Sequence, residues 1–302
     1  MKKLFTPQFA FILSMAVFGT IGVFVKNIPL SPGEIALYRA ILATLLILVF
    51  LLVTKRKIPF KDIKKQIPLL FLSGVAMGFN WLFLFEAYNY TTVSVATLSY
   101  YFAPVLVAII CPFLFKEKMT VKNIICFICS TLGIVLITGI GDLSSGKNHL
   151  IGVGFGLLAA CLYASVVIIN KYIKGVEGIT RTFLQFVFSI TVLLPYVLLT
   201  SGINVLSLNL KGITMLLIVG LVHTGVTYCL YFSSLKELKG EKLAILSYID
   251  PLVAVLTSVL ILQEPLTITQ AIGGLLVLGF TLFNEINLKK HKNKNQSKQL
   301  LQ

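Results

Sequence analysis

Ser247-Tyr248-Ile249-Asp250-Pro251 interrupts an apolar run, Leu243–Leu262, long enough to cross a bilayer. An earlier run at residues 96–115 is interrupted in the same way by Tyr100-Tyr101-Phe102-Ala103-Pro104, without the acid. A proline inside a helix removes one backbone donor and releases the carbonyl four residues back, here those of Tyr100 and Ser247. In hydrocarbon such a carbonyl needs a protein partner, water or a lined cavity. The two stretches therefore predict helix breaks, or hinges, at Pro104 and Pro251, with a carboxylate beside only the second. That is how the middle of a transport pathway would read.

Working outward, each run ends in a similar phrase, Glu117-Lys118-Met119-Thr120 or Glu264-Pro265-Leu266-Thr267. A shift of 147 positions superposes Tyr101 on Tyr248, Pro104 on Pro251, Glu117 on Glu264 and Thr120 on Thr267. The same shift places Gly78 on Gly225, Asn80 on Thr227 and Trp81 on Tyr228. A shift of 145 places Phe18 on Tyr163 and Lys26 on Lys171. The chain reads as an internal repeat.

Composition sets the environment. Of 302 residues, 57% are hydrophobic and only 12% charged, and the mean hydropathy is +0.93. A soluble globule carries about 25% charged residues, so too little polar surface remains to cover a water-soluble fold. The net charge of +15 does not suggest nucleic acid, because no basic, aromatic-studded face of a soluble domain is visible. The five cysteines all lie in apolar runs; Cys126-x-x-Cys129 has neither a second pair nor a histidine to complete a metal or redox site.

A bilayer core of about 30 Å takes about 20 apolar residues as helix. Ten windows meet that length: 7–26, 34–54, 67–87, 93–115, 121–139, 151–172, 180–200, 211–234, 242–262 and 268–287. The first reads as a span rather than a cleaved leader, since no small-residue cleavage site follows it. With the N-terminus in the cytoplasm, 22 Lys and Arg fall on that side and three on the other (Lys26, Lys147 and Lys211). This bias predicts both termini cytoplasmic in an inner or plasma membrane. Five spans per half is an odd number, so the second half is upside down relative to the first. The expected fold is an all-α membrane protein of ten transmembrane helices, two inverted five-helix repeats at 7–139 and 151–287. A basic cytoplasmic tail follows at 288–302. Inverted repeats are a recurring plan of secondary transporters, with the substrate site near mid-membrane where the halves meet.

The ten spans, the inversion and the paired Pro and Glu-x-x-Thr phrases resemble the EamA family of the drug/metabolite transporter superfamily, over residues 7 to about 287. That resemblance implies a transporter of amino acids, other metabolites or toxic compounds, often outward. It also implies a central cavity formed by the first four helices of each half, with spans 5 and 10 at the periphery. Ala103 departs from the repeat where the second half carries Asp250.

Several residues are candidates for the chemistry. Asp250 lies about 12 Å into its span at 1.5 Å per residue, a depth where an acid usually faces a cavity or a partner. It reads either as a proton or cation site or as a structural carboxylate paired with Arg39. Arg39 keeps its charge, so it snorkels, pairs with an acid such as Glu34, or binds an anionic group of substrate. His223, Thr227 and Tyr231 fall at i, i+4 and i+8 on one helical stripe with Tyr228 beside it, and together with Asn80 and Trp81 they read either as the lining of the expected cavity or as ordinary helix packing. Tyr101 and Tyr248 flank the prolines, where their hydroxyls contact either a freed carbonyl or substrate. Glu117 and Glu264 read as capping or hinge residues. Gly74, Gly78, Gly133, Gly273 and Gly274 read as close helix contacts.

No nucleophile elbow, paired catalytic carboxylates, phosphate-cradling turn, metal cluster or cofactor motif is present in the sequence. The predicted function is secondary transport of small organic molecules by alternating access, with export as the favoured direction, either proton-coupled or facilitative. The expected partners are the substrate, protons and the bilayer, with the chain a monomer or weak homodimer. The alternative is a lipid or amphiphile flippase; an intramembrane enzyme and a channel rank lower.

Overall fold

A computed structural model of the protein describes residues 6–55, 60–115, 119–138, 147–176, 178–235, 238 and 240–299. It describes their side chains except at 60–62, 147, 235, 240, 241, 244 and 287–299. Glu117 and the basic side chains of the tail therefore lie outside the described residues. Among the described residues the chain is helical, with no strand.

Local chemistry sets the helix starts. Thr6 caps α1 (Pro7–Gly19) by accepting the Phe9 N–H at 3.2 Å, and Pro7 occupies the first turn, where no donor is needed. After the short α2 (Ile21–Val25), Ser31 and Glu34 form a reciprocal capping box that starts α3 (Pro32–Val53). The long α4 (Phe60–Tyr90) leads to α5 (Val93–Tyr100), capped by Thr92, and then to α6 (Ala103–Phe115). Thr120 caps α7 (Val121–Ile137) through the Asn123 N–H at 3.2 Å.

The second half runs through α8 (Lys147–Tyr172), α9 (Gly178–Thr200) and α10 (Leu210–Leu217). A π-helical stretch, Ile218–Val226, joins α10 to α11 (Thr227–Leu235). Then come α12 (Gly240–Ser247), α13 (Ile249–Leu260) and α14 (Ile268–Gln299). Thr267 serves α14 as Thr120 serves α7, accepting the Gln270 N–H at the same 3.2 Å. The threonine that ends each Glu-x-x-Thr phrase is thus the cap of the next helix.

Among the described residues eight segments are long and apolar enough to cross a membrane, while Val121–Ile137 and Ile245–Leu260 are shorter apolar helices. The 17 residues of α7 reach about 26 Å at 1.5 Å per residue, short of the ~30 Å hydrocarbon core. The fifth expected window therefore falls below full span length, and the ninth is divided at Tyr248 between α12 and α13. Large apolar side chains such as Val53, Phe113, Leu199 and Leu275 stay exposed on the bundle surface, as a lipid-facing exterior requires.

The main core joins α3, α4, α8 and α9, where Leu37, Ile47, Phe85, Phe186 and Leu193 are sealed from solvent. Close helix approach depends on glycine. A side chain on Gly133 would place its Cβ 2.7 Å from the Gly273 carbonyl oxygen, which fixes α7 against α14. A buried amide, Gln185, donates to Ser73 and to Asn170, both at 2.8 Å, and so ties α9 to α4 and α8.

We refer to the end of the bundle carrying Gln8 and Lys242, which are hydrogen-bonded to each other, as the terminal face. The end carrying Lys26 and Glu264 is the distal face.

Candidate functional site

The helix breaks stand just before the two prolines. Helix α5 ends at Tyr100, and Tyr101 (φ −69°, ψ 3°) and Phe102 turn the chain into α6. Tyr248 (φ −74°, ψ −7°) makes the corresponding turn between α12 and α13. Across the gap between them, the Tyr101 hydroxyl donates to Asp250 Oδ2 at 2.6 Å. Asp250 is half-buried, and its other oxygen is neither hydrogen-bonded nor sealed off among the described residues. Part of its surface is therefore accessible. Tyr248 goes elsewhere: it packs at 8% exposure in an apolar cluster with Val277 and Leu278.

Aromatic rings build a wall around Asp250. Tyr100 contacts Tyr163 at 5.5 Å between centroids and Tyr101 at 5.8 Å. Phe18 contacts Tyr228 at 5.2 Å and Tyr231 at 6.4 Å. Tyr163 keeps 39% of its surface exposed while standing within electrostatic range of Asp250, Tyr228 and Tyr231. Neither Tyr163 nor Phe18 was a candidate in the sequence; the signal that could have found them was their alignment with each other in the repeat.

Arg39 lies on the neighbouring wall, 5% exposed. Its Nε donates to Thr224 Oγ1 at 2.7 Å, and its guanidinium carbon sits 4.3 Å above the Trp81 ring and 5.6 Å from that of Phe85. The expected pairing of Arg39 with Glu34 or Asp250 is not what the fold makes. Glu34 is engaged in the capping box and accepts the Asn204 N–H at 2.7 Å, so its carboxylate points to the loop before α10. Trp81 is buried under Arg39 and meets Phe186 at 5.0 Å; it supports the wall more than it faces the interior. Asn80 is also buried, donating to the Ala159 carbonyl at 2.7 Å and holding α4 to α8.

The expected stripe along residues 223–231 divides. Thr224 and Thr227 donate to carbonyls five residues back, at 2.8 and 2.7 Å, in the pattern of a π-helix. The wider turn changes the facing of side chains relative to an α-helical count. His223 is buried, with Thr20 Oγ1 at 2.9 Å and the Ile218 carbonyl at 3.3 Å, and Thr227 is buried as well. Tyr228 and Tyr231 remain half-buried among the rings.

The distal face is drawn together. Lys26 forms an ion pair with Glu264, whose second oxygen accepts the Val93 N–H at 2.7 Å at the start of α5. The Ser94 N–H donates to Ser258 Oγ at 3.2 Å, joining α5 to α13 once more. Gly22 lies directly against Val93, with no room for a side chain. Among the described residues no comparable packing joins α6 to α12 at the terminal face. There Lys171 instead meets Cys111 Sγ at 3.1 Å. Groups of three or more metal-ligating side chains are absent among the described residues.

Known proteins share this organisation. The model of the EamA-like transporter family matches residues 6–139 and, a second time, residues 150–284. An "Uncharacterized transporter YxxF" of Bacillus subtilis (strain 168) is 31% identical over 256 residues, 84% of this chain and 81% of that protein. An "Uncharacterized transporter" of Archaeoglobus fulgidus is 29% identical over 277 residues, 90% of this chain and 94% of its own length. A crystal structure with 15% sequence identity shares the fold at a TM-score of 0.62, over 93% of this chain and 98% of that one. Two family matches laid end to end, with eight span-length apolar segments among the described residues, describe a multi-pass membrane protein, and this chain belongs to the EamA-like transporter family.

Proposed function

We propose that the protein is a secondary transporter that exports small organic solutes by alternating access, with Asp250 as the site that binds a proton or a cationic group. The observation that carries this reading is the position of Asp250. A carboxylate with one oxygen held by Tyr101 and the other open stands among tyrosine rings deep in an apolar bundle. Maintaining an acid at that depth costs a few kcal/mol (~2.5–3.5 on insertion scales) and favours a functional interior.

In this reading the chain crosses the membrane ten times as two inverted repeats, 7–139 and 151–287, with a basic tail from 288. Support comes from the twin family matches and from the matched caps at Thr120 and Thr267. Both termini lie in the cytoplasm of an inner or plasma membrane, on the positive-inside bias of the loops. The Lys26–Glu264 pair then closes the outer side, while the interior opens toward the terminal, cytoplasmic face. Rocking of one repeat against the other at the breaks before Pro104 and Pro251 would exchange these two states. Export follows the family resemblance.

The experiment is flux from proteoliposomes across external pH for the wild type and Asp250→Asn. The expected result is saturable flux whose pH dependence is lost in the variant. An unchanged rate and pH profile would remove Asp250 from the coupling step.

A further inference from the structure

Four side chains near the end of α4 share one face of the helix: Phe79, Phe83, Glu86 and Tyr90 fall at i, i+4, i+7 and i+11. Each is half-buried, whereas the positions between them, Asn89 apart, are buried. At ~100° per residue this face points away from Trp81 and Phe85, whose rings cover Arg39. Leu72, on the same face nearer the start of the helix, is 54% exposed. The face is therefore the lipid side of α4.

The rings on it form a ladder. Phe79 stacks with Phe83 at 6.2 Å, Phe83 with Phe155 of α8 at 5.8 Å, and Phe155 meets Tyr90 at 5.6 Å. Phe155 thus bridges the two turns between which Glu86 emerges. Beside Phe155, a side chain on Gly154 would meet nothing within 4 Å, so that flank of α8 is open.

Glu86 is an acid without a partner. Among the described residues no hydrogen bond or ion pair engages it, and no charged side chain stands close enough to act on it. Acids in spanning helices ordinarily turn to the bundle interior or to a partner; Glu86 does neither. It sits four residues, about 6 Å at 1.5 Å per residue, before the end of α4. That end is at the distal face, where the Thr91 carbonyl lies 3.5 Å from Lys26 Nζ. The headgroup layer is itself about 5–7 Å thick on each side of the hydrocarbon, so the carboxylate stands where acyl chains give way to headgroups.

We infer that Glu86 and this ring ladder form a docking site for a phospholipid with a primary ammonium headgroup, seated in the distal leaflet. The carboxylate accepts hydrogen bonds from the ammonium, and the rings of Phe155 and Tyr90 favour the same cation. An acyl chain lies along Phe83 and Phe79 toward Leu72. An anionic headgroup without an ammonium would bring a second negative charge to Glu86 and be disfavoured. The site is on the opposite side of α4 from Arg39 and does not depend on what the interior carries.

Native mass spectrometry of the full-length protein with added dioleoylphosphatidylethanolamine or dioleoylphosphatidylglycerol reads this preference. The wild type should bind the ethanolamine lipid roughly 3- to 10-fold more tightly, the range of one exposed charge contact with an aromatic neighbour. Glu86→Gln should abolish the preference, while Leu275→Ala, on an exposed face of α14, should leave it unchanged. Equal binding of the two lipids by the wild type, or a preference kept in Glu86→Gln, would overturn the inference.

A second measurement needs no variant. A carbodiimide activates a carboxylate of the wild-type protein, and an ethanolamine lipid in contact with it displaces the activating group as a urea and leaves an amide. Peptide mass spectrometry should find the lipid joined to Glu86. Coupling only at other carboxylates, or none, would overturn the site.

Discussion

Glu264 binds Lys26 from 238 positions away and, with the same carboxylate, the first N–H of α5 and the hydroxyl of Ser258. One side chain thus fastens the ends of α2, α5 and α13 at the distal face. The two partners are not equivalent. Lys26 offers a partly exposed ion pair, worth about 0.2–1 kcal/mol. Removing Glu264 also strands a backbone donor, at about 1–3 kcal/mol more. Glu264→Ala should therefore lower the thermal unfolding midpoint in detergent more than Lys26→Ala, and the double variant should add little to Glu264→Ala alone. Equal losses, or simple addition, would show that the carboxylate acts only through the lysine.

Gly22 lies where α2 meets Val93, and an added methyl group would collide with a stiff β-branched side chain. Gly22→Ala should loosen the distal face without touching the interior. Its readout is thiol labelling at Ile28→Cys in a chain cleared of its native cysteines; Ile28 is buried on that side. Labelling by an impermeant reagent should speed up in the glycine variant. An unchanged rate would mean that α2 and α5 do not form the seal.

Gln185 joins three helices through one amide, with its contact to Ser73 buried and its contact to Asn170 partly buried. Gln185→Leu fills the space but leaves Asn170 Oδ1 without its donor and Ser73 with only its own bond to the Leu70 carbonyl. The expected loss of stability is about 1–3 kcal/mol, read as a lower unfolding midpoint of the purified protein. A midpoint within error of wild type would show that the network contributes nothing net.

If the halves are true repeats, their matching caps should cost the same to remove. Thr120→Ala and Thr267→Ala should each destabilise by about 1 kcal/mol, and the two shifts in midpoint should agree. A loss in only one would argue that the repeat is a feature of sequence alone.

The parts legible in the sequence were those decided locally. The turns before Pro104 and Pro251 were read from neighbours within about one helical turn; the caps at Thr120 and Thr267 obey the same local rules, although capping in those phrases was expected of Glu117 and Glu264. The unread parts depend on contacts between distant segments. Arg39 and Glu34 are one turn apart, yet Glu34 is claimed by Ser31 and by Asn204, 170 residues away. The stripe from His223 to Tyr231 assumed an α-helical period, and a π-helical stretch changed the facing of its members. Tyr163 and Phe18 were visible only as aligned aromatic positions. Nothing in either segment announced that both would border Asp250.

The central claim is that the space around Asp250 is wet and opens at the terminal face. Its most direct test is labelling of Tyr163→Cys, in a chain lacking the five native cysteines, with an impermeant thiol reagent applied to either side of sealed membranes. The account predicts modification from the side that carries the chain termini and protection from the other. Protection from both sides, with the protein folded, would mean a dry or lipid-facing position and would contradict it.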